Sequence, residues 1–376
     1  MRIVFTGGGS GGHFYPIIAV AEKCVELIEK ERIVDARMYF FGPSPYNKKA
    51  LFDNGVRFVA VPAGKMHRGF SPLIPVELLK TALGFVRALF SLWSIYPDVV
   101  FGKGGYGSFP TLLAARILNI PVVIHESDSV PGRTNVWAGK FAKRIALSYA
   151  EAAEYFPKEK TAYTGQPVRK EIASPASHGA FEFLHLDPSV PVVFILGGSQ
   201  GAQMINEVVL DILPELVEKY QIIHQTGNMN LKNVEETASI ILEKNKYKNR
   251  YKTFGYLNDI SLRMSAGASS IALSRAGSGI FEIAGWGIPS IIIPITDSNG
   301  DHQRKNAFNY ARSGAAIVME ERNLAPHVLL SEINKLMENE TEMGKMKKAA
   351  LSFNKPDAAE KIGKELISIA LSHESR

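Results

Sequence analysis

Short apolar segments of strand length alternate with longer segments of helical periodicity along almost the whole chain of 376 residues. In the first half the apolar segments read RIVF, ARMYFFG, DVVFG, PVVIHE and RIALS, and in the second half PVVFILGG, QIIHQTG, YKTFGY, SSIALS, PSIIIPI and AAIVM. Continuous apolar runs are typical of parallel strands that are buried on both faces, and the helical segments supply the crossovers. The pattern therefore predicts an α/β protein with parallel sheets.

The two halves of the chain also resemble each other. RIVFTGGGSGGHFYPIIAVAE in the first half and PVVFILGGSQGAQMINEVV in the second both read as a strand, a glycine turn and a helix. Two Rossmann-like domains in tandem explain this likeness better than one long sheet. We expect an N-terminal domain over residues 1–165, a C-terminal domain over 166–352, and a last helix within 353–376 that packs back on the N-terminal domain.

Composition narrows the classes of partner. The chain is 46% hydrophobic and 21% charged, as in a globular protein, and its net charge of +6 favours anionic partners such as phosphates or an acidic membrane surface. Nucleic acid is not expected, because no basic run or RNA-reading strand pattern occurs. The single cysteine, Cys24, excludes an internal disulfide and is expected to fill a core, which fits a reducing cytoplasm. We expect neither a signal peptide nor a membrane span, since no run of about 18 uncharged apolar residues occurs.

The segment TGGGSGGHFYP directly follows the first strand, and its Gly7, Gly9 and Gly12 fit the pattern G-x-G-x-x-G. A dinucleotide site would need an acidic residue at the end of the second strand, but that strand ends in Gly42 and Pro43. The sequence also lacks the G-x-x-x-x-G-K-[ST] pattern of P-loop ATPases. Consecutive glycines let backbone N–H groups converge on an anion at a helix N-terminus, and a tight turn without a ligand is the alternative.

Similar glycine turns occur at three later positions, 104–105, 197–198 and 277–279. Four such turns favour a ligand with more than one phosphate. The motifs around them are TGGGSGGHFYP, GKGGYGSFP, HESDSVPGRTN, GQPVR, GGSQGA, SRAGSGIFE and DHQRKNA. In this order they resemble the MurG family, the transferases that add N-acetylglucosamine to the lipid-linked muramoyl-pentapeptide of peptidoglycan, and the likeness covers nearly the whole chain.

The resemblance implies a fold, a reaction and a location. The fold is the GT-B glycosyltransferase architecture, in which two Rossmann-like domains with parallel sheets face a deep cleft, and neither a metal nor another cofactor is needed. The reaction is transfer with inversion from UDP-N-acetylglucosamine to the undecaprenyl-diphosphate-linked acceptor lipid I, which gives lipid II. The implied location is peripheral, on the cytoplasmic face of the bacterial plasma membrane, with a cell-wall synthesis complex that serves cell shape and division as a further partner.

The resemblance places the UDP of the donor mainly on the C-terminal domain. Glu282 matches the residue that accepts hydrogen bonds from the ribose hydroxyls, although a glutamate at this position can also serve only the helix dipole. Ser199 suits a phosphate or a helix cap. Arg169 would place fixed positive charge beside the departing UDP, and a surface arginine is the alternative.

The other donor contacts implied by the resemblance lie in four segments. Tyr256 and Leu257 match the uracil-contacting loop, and Gln303 matches the amide that holds the sugar hydroxyls, while Asn306 is expected to tie its helix down. The backbone of Ala276 and Gly277 would approach the diphosphate or the sugar. The set is completed by Ser10, Gly11, Gly12 and Asp128.

Two side chains are candidates for the general base that deprotonates the acceptor hydroxyl. His13 is the first, because an imidazole with a pKa of ~6.5 suits neutral pH, although it could instead brace its loop or contact phosphate. Asp128 is the second; many members of the family have Gln-Asn where this chain has Ser127-Asp128. The acceptor's diphosphate is assigned to the first two glycine loops through Gly8, Gly9, Lys103, Gly104 and Gly105.

Residues 76–95, VELLKTALGFVRALFSLWSI, place their polar and small residues on a single helical stripe, with apolar residues elsewhere. Such a helix is either buried between a sheet and its neighbours or rests on an anionic membrane surface. Basic residues surround the segment at Lys65, Arg68, Lys80, Arg87 and Lys103, and the loop FSPLIP, residues 70–75, would reach the lipid headgroups.

Three competing functions remain open. An epimerase of the same architecture would consume UDP-N-acetylglucosamine without an acceptor or a membrane. A peripheral membrane scaffold would bind vesicles without catalysis and without affinity for UDP. An NAD-dependent dehydrogenase is the least favoured, because the acidic residue that its cofactor requires is missing.

Overall fold

The computed structural model describes residues 1–65, 72–198 and 201–374. Contacts within the chain divide it into two units, one formed by Met1–Arg169 with Lys355–Arg376 and the other by Lys170–Asn354. The boundary between the units follows Arg169, whereas the sequence analysis placed it after residue 165.

The first unit contains a parallel seven-stranded sheet. Its strands are β1 (Arg2–Thr6), β2 (Arg37–Gly42), β3 (Val56–Ala60), β4 (Val99–Gly102), β5 (Val122–Glu126), β6 (Arg144–Leu147) and β7 (Thr161–Tyr163), and they are connected by helices α1 (Gly11–Lys30), α2 (Lys48–Asp53), α3 (Ile74–Ile95), α4 (Phe109–Ile117) and α5 (Arg133–Gly139). The strand order is β3-β2-β1-β4-β5-β6-β7. Because the order reverses between β1 and β4, the loops that follow these two strands flank a switch point, where α/β sheets bind ligands.

The second unit repeats this plan with six parallel strands. They are β8 (Val192–Leu196), β9 (Gln221–Gln225), β10 (Tyr251–Phe254), β11 (Ile271–Ser274), β12 (Ser290–Ile292) and β13 (Ala316–Val318), in the order β10-β9-β8-β11-β12-β13. The helices are α6 (Ala180–Leu184), α7 (Gln203–Asp211), α8 (Leu213–Lys219), α9 (Leu231–Ile241), α10 (Asp259–Ala268), α11 (Gly279–Trp286), α12 (His302–Arg312), α13 (Pro326–Met337) and α14 (Glu340–Phe353). Its switch point lies between β8 and β11. The prediction of two Rossmann-like domains with parallel sheets is therefore confirmed.

The last helix, α15 (Ala358–Glu374), belongs to the first unit and packs against α1. Cys24 on α1 is completely buried at this contact, beside Gly363 of α15. Burial raises the pKa of its thiol to about 12, so the thiol stays protonated and unreactive at neutral pH. The expectation that Cys24 fills a core is confirmed.

Among the described residues, helix α3 contacts the rest of the first unit along one narrow face. Its buried residues are Gly84, Ala88 and Leu92. A Cβ atom added at Gly84 would lie 1.7 Å from the carbonyl oxygen of Pro62, so the backbone of α3 packs directly against the backbone at Pro62. The apolar side chains on its other faces are exposed: Val76, Leu78, Leu79, Leu83, Val86, Phe90 and Trp93. The alternative that this helix is buried between the sheet and its neighbours is therefore wrong.

By length and composition alone, α3 also meets the criteria for a membrane-spanning helix. Its 22 residues include an 18-residue window with a mean hydropathy of 1.4, of which 17% is buried in the protein. The sequence expectation of no membrane span rested on the absence of an uncharged apolar run, and α3 does contain the charged residues Glu77, Lys80 and Arg87. Glu77 and Lys80 form an ion pair of 2.9 Å, which reduces the cost of these charges on an apolar helix.

Candidate active site

The two glycine loops of the first unit pack directly against each other at its switch point. A Cβ atom added at Gly8, after β1, would lie 2.5 Å from the backbone nitrogen of Gly107, after β4. At Gly9, where φ is +73°, an added Cβ would lie 2.5 Å from a ring atom of Tyr106. Side chains are excluded at both positions, so the two loops are packed together. Gly8, Gly104 and Gly107 are buried in this contact, and Gly9 and Gly105 form its accessible part, the glycine-lined surface. The structure thus brings together the residues assigned to the acceptor's diphosphate on these loops, Gly8, Gly9, Gly104 and Gly105.

His13 lies in the first turn of α1 and faces the same surface. Its Nδ1 is 2.8 Å from the hydroxyl oxygen of Ser10, the N-cap residue of α1. An added Cβ at Gly105 would lie 3.4 Å from Nε2, so this second nitrogen faces the glycine turn after β4. When Nδ1–H donates to Ser10, Nε2 keeps the lone pair that a general base requires.

The second candidate base, Asp128, lies in a turn that a buried glutamate organises. The Glu126 carboxylate accepts hydrogen bonds from the backbone N–H of Asp128 at 2.9 Å, from that of Gly132 at 3.0 Å and from the side chain of Asn135 at 2.8 Å. Burial, and then the neighbouring Asp128, raise the pKa of Glu126. The structure therefore fixes the position of Asp128 through Glu126 and Asn135, two residues that the sequence analysis did not single out.

Lys103 follows β4 directly but does not extend into the glycine-lined surface. It is only 1% exposed, and its ammonium group donates a hydrogen bond to the hydroxyl of Ser127. Burial lowers the pKa of Lys103 to about 8, and the carboxylates of Glu126 and Asp128 oppose this shift. The main interaction of the ammonium is therefore with the turn formed by residues 126–128.

Arg169, the last residue of this segment of the first unit, is held by an aromatic ring. Its guanidinium carbon lies 4.0 Å from the centroid of the Tyr15 ring, and Arg169 is 7% exposed. Tyr15 is two residues beyond His13 on α1, so this stacking brings the GQPVR segment to the helix that carries the candidate base. A cation–π contact on a largely buried arginine is a stabilising interaction, and the alternative of an exposed surface arginine is wrong.

In the second unit the glycine loops also flank the switch point. The loop after β8 contains Gly198 and Gly201, both with positive φ, and leads into α7. Ser199, the residue of this loop assigned to phosphate, lies outside the described residues. The loop after β11 begins with Arg275, whose guanidinium forms an ion pair of 2.6 Å with Glu321, while its other nitrogen donates to the carbonyl of Ile293.

The loop after β11 leaves open space at its glycine. A Cβ atom added at Gly277 would meet no atom within 4 Å. The preceding Ala276 is buried, and its carbonyl accepts a hydrogen bond of 3.1 Å from the side chain of Asn306 on α12, which confirms that Asn306 ties its helix down. Glu282 lies half-buried in the first turn of α11, which begins at Gly279.

Two further segments follow the carboxyl ends of β10 and β12, which lie on opposite sides of the switch point of the second sheet. Tyr256 is exposed and Leu257 is buried in the loop after β10, directly before Asn258 caps α10. Gln303, in the first turn of α12, accepts a hydrogen bond of 3.1 Å from the backbone of Ile295, which holds its side chain against the loop after β12. The carboxyl edge of this sheet thus gathers the described residues assigned to the donor on the C-terminal domain.

Two units, each with a parallel sheet and with glycine loops at the switch point, define a GT-B type of glycosyltransferase. The sequence matches the models of the glycosyltransferase family 28 N-terminal domain over residues 3–147 and of the family 28 C-terminal domain over residues 192–362. The UDP-N-acetylglucosamine–N-acetylmuramyl-(pentapeptide) pyrophosphoryl-undecaprenol N-acetylglucosamine transferase of Natranaerobius thermophilus is 35% identical, over 98% of this chain and 100% of its own length. The chain therefore belongs to glycosyltransferase family 28, in the group of these N-acetylglucosamine transferases, and the resemblance to the MurG family is confirmed.

Solved structures agree on the fold. The crystal structure of MurG from Acinetobacter baumannii has a TM-score of 0.71 at 23% identity and covers 98% of this chain and 99% of its own. The UDP-GlcNAc 2-epimerase from Neisseria meningitidis, bound to UDP-GlcNAc, has a TM-score of 0.65 at 14% identity and covers 98% of this chain and 100% of its own. Both similarities show the architecture alone. The 35% identity to the Natranaerobius transferase is what favours a transferase over an epimerase.

Proposed function

We propose that this chain transfers N-acetylglucosamine, with inversion at the anomeric carbon, from UDP-N-acetylglucosamine to the muramoyl-pentapeptide carried by undecaprenyl diphosphate. The name of the Natranaerobius relative, and its match over almost the whole chain, support this choice of donor and acceptor. The donor is assigned to the second unit, and the acceptor's diphosphate to the glycine-lined surface of the first.

The open space at Gly277 is the observation that carries the donor assignment. It lies between the end of β11 and the N-terminus of α11, where helix N–H groups and the helix dipole favour an anion. Glu282, one turn further along α11, is the acceptor assigned to the ribose hydroxyls of UDP. One UDP molecule, with its diphosphate in this space and its ribose at Glu282, accounts for both the open space at Gly277 and the glutamate beside it.

The acceptor hydroxyl must lose its proton as it attacks the anomeric carbon. The arrangement of His13 supports it as the base, because Ser10 engages Nδ1 and Nε2 faces the glycine-lined surface. Asp128 is the second candidate, since Glu126 fixes the turn on which it lies. The guanidinium of Arg169, fixed on the Tyr15 ring, is assigned to the negative charge that develops on the departing UDP.

The reaction is tested by incubating the chain with radiolabelled UDP-N-acetylglucosamine and the lipid-linked acceptor. We expect labelled disaccharide lipid with inverted anomeric configuration. A product with retained configuration, or no product, would contradict the proposal. A parallel incubation without acceptor tests the epimerase, because only an epimerase converts the donor under those conditions.

The donor site is tested by a matched pair of glycine substitutions in the second unit. Gly277→Ala adds a methyl group to space that is empty in the protein, so the fold should be unaffected while UDP-N-acetylglucosamine binding weakens by about 1–3 kcal/mol, the usual cost of forcing a methyl group into filled space. Gly344→Ala, on the exposed part of α14, also meets no atom within 4 Å and should leave binding unchanged. If calorimetry gives the two variants equal affinities for UDP-N-acetylglucosamine, the loop at Gly277 is excluded as the donor site.

We further propose that α3 rests on the cytoplasmic face of the plasma membrane. Five of its exposed apolar residues recur at helical spacing on one face: Leu79, Leu83, Val86, Phe90 and Trp93. The exposed Arg87 supplies positive charge beside them for anionic headgroups, whereas the charge of the exposed Lys80 is paired with Glu77. The opposite face of α3 is fixed to the first unit through Gly84, which favours a helix that lies on the bilayer over one that crosses it.

Sedimentation with vesicles tests this surface. The wild type should bind vesicles of phosphatidylglycerol and phosphatidylcholine better than vesicles of phosphatidylcholine alone. Phe90→Glu should reduce binding to the anionic vesicles, whereas Ile240→Glu, at a position 77% exposed on the second unit, should not. Undiminished binding of the Phe90 variant would exclude α3 as the docking surface.

A further inference from the structure

Lys103 is a buried cation at the edge of the candidate site. It follows β4 immediately and lies beside the 126–128 turn that follows the neighbouring strand β5. Removing an ammonium group from water is costly unless charged and hydrogen-bonding groups replace the water. Glu126 and Asp128 supply the opposing charge, and Ser127 accepts the hydrogen bond.

The direction of the hydrogen bonds beyond Ser127 follows from the chemistry of its partners. The Ser127 hydroxyl lies 2.9 Å from Oε1 of Gln166, and the Ser148 hydroxyl lies 2.7 Å from the same oxygen. An amide oxygen only accepts, so Ser127 must use its single hydrogen toward Gln166. The oxygen of Ser127 therefore requires a donor on its other side, and the ammonium of Lys103 is that donor.

The hydrogen-bond network continues to the carboxyl ends of further strands of the first sheet. The Nε2 of buried His125 lies 3.1 Å from the carbonyl oxygen of Gly165 and 3.2 Å from the Ser148 hydroxyl. Burial, and then the charge of Lys103, lower the pKa of His125, so its ring is neutral and donates through Nε2–H. One network therefore joins the ends of β4, β5, β6 and β7 to the segment that ends in Arg169.

We infer that Lys103 is a positioning residue, which fixes the turn carrying Asp128 against the Gln166–Arg169 segment by donating to Ser127, and that it is not a direct ligand of the acceptor's diphosphate. The inference rests on the proposed transferase reaction. It replaces the role that the family resemblance gave to Lys103, because a side chain 1% exposed, whose ammonium is bonded to Ser127, is directed into the protein.

A double-substitution cycle tests this role with Lys103→Met, Ser127→Ala and the combined variant. Both single substitutions break the bond between Lys103 and Ser127, and Ser127→Ala also removes the bond to Gln166. Each should therefore lower kcat by about tenfold or more, the equivalent of one hydrogen bond to a charged group, with KM for both substrates within about twofold of wild type. The combined variant should be within about twofold of the poorer single variant. Lys140→Met, at an exposed lysine of the same unit, is the control and should match wild type.

Other outcomes would overturn the inference. A direct ligand of the diphosphate predicts that Lys103→Met raises KM for the lipid acceptor, that Ser127→Ala is nearly silent, and that the two effects multiply. The same cycle is measured on the free energy of unfolding in urea, where the bond between the two side chains predicts non-additivity without any substrate. A wild type without transferase activity would therefore refute the proposed reaction, while additive unfolding energies would refute the bond.

Discussion

Gly8→Ala tests whether the contact between the two glycine loops of the first unit is needed for turnover. Gly8 and Gly107 meet backbone to backbone, and the added Cβ would lie 2.5 Å from the nitrogen and 2.9 Å from the Cα of Gly107. Neither atom belongs to a flexible side chain that could turn away. The substitution must therefore separate the loop that leads to His13 from the loop that follows β4.

The size of this displacement follows from the distances. Ordinary van der Waals contact with a Cβ begins at 3.4 Å, so the loops must separate by about 0.9 Å. A misplacement of about 1 Å between reacting groups costs on the order of 100-fold in rate. We therefore expect kcat/KM for the lipid acceptor to fall about 100-fold, with a smaller loss of UDP-N-acetylglucosamine affinity, because this loop carries only Ser10, Gly11 and Gly12 of the residues assigned to the donor.

The assay is steady-state transfer at varied acceptor concentration, together with calorimetric titration of the donor and thermal denaturation of each variant. Gly107→Ala forces the same loops apart from the other side, since its Cβ would lie 2.7 Å from the Cα of Gly8, and should reproduce the loss. Gly363→Ala is the control, because there the nearest atom, on Leu27, is at 3.4 Å. Full turnover by a folded Gly8 variant would refute the view that these loops hold the acceptor.

Three further predictions concern single side chains. Glu282→Ala should weaken UDP-N-acetylglucosamine binding by about 2–3 kcal/mol, the value of hydrogen bonds to a charged group, and an unchanged dissociation constant would remove it from the ribose site. His13→Ala should abolish turnover while calorimetry still detects donor binding. Retained turnover would exclude His13 as the base and leave Asp128 as the candidate. Because burial lowers the pKa of Lys103 to about 8 from its ordinary 10.5, the unfolded chain binds more protons between these values, and the free energy of unfolding should rise with pH there. Lys103→Met should flatten that rise in urea titrations, and an equal slope in both proteins would contradict it.

Most of the strands that the sequence predicted are buried on both faces of their sheets, whereas β10 and β13, the edge strands of the second sheet, were predicted although they are only partly buried. β5, for example, is a run of five buried residues, and such runs are distinct in sequence. The two edge strands of the first sheet, β3 and β7, were not predicted from the sequence. Only Val56 of β3 is buried, and β7 has three residues, none of them buried, so neither presents an apolar run.

Within the candidate site, the sequence identified the residues that act through local spacing. The pair Ser10 and His13 lies within one turn of the chain, and the glycine turns are visible as motifs. It did not identify partners that the fold brings from afar. Ser127 and Gln166 are 39 residues apart in sequence, and the stacking of Arg169 on Tyr15 joins the two ends of the first unit's main segment.

The repetition of one geometry in both units bears on the choice between transferase and epimerase. Each sheet carries two glycine loops at its switch point, after β1 and β4 in the first unit and after β8 and β11 in the second. Each pair of loops is suited to an anion, because glycine leaves backbone N–H groups accessible. A transferase that moves the sugar of a nucleotide diphosphate sugar to a lipid-diphosphate-linked acceptor, with the nucleoside diphosphate as leaving group, meets a diphosphate on each of its two substrates in every turnover. An epimerase acts on a single diphosphate substrate, but a UDP-GlcNAc 2-epimerase shares this architecture, so the choice of the transferase rests on the sequence match to the Natranaerobius transferase over almost the whole chain.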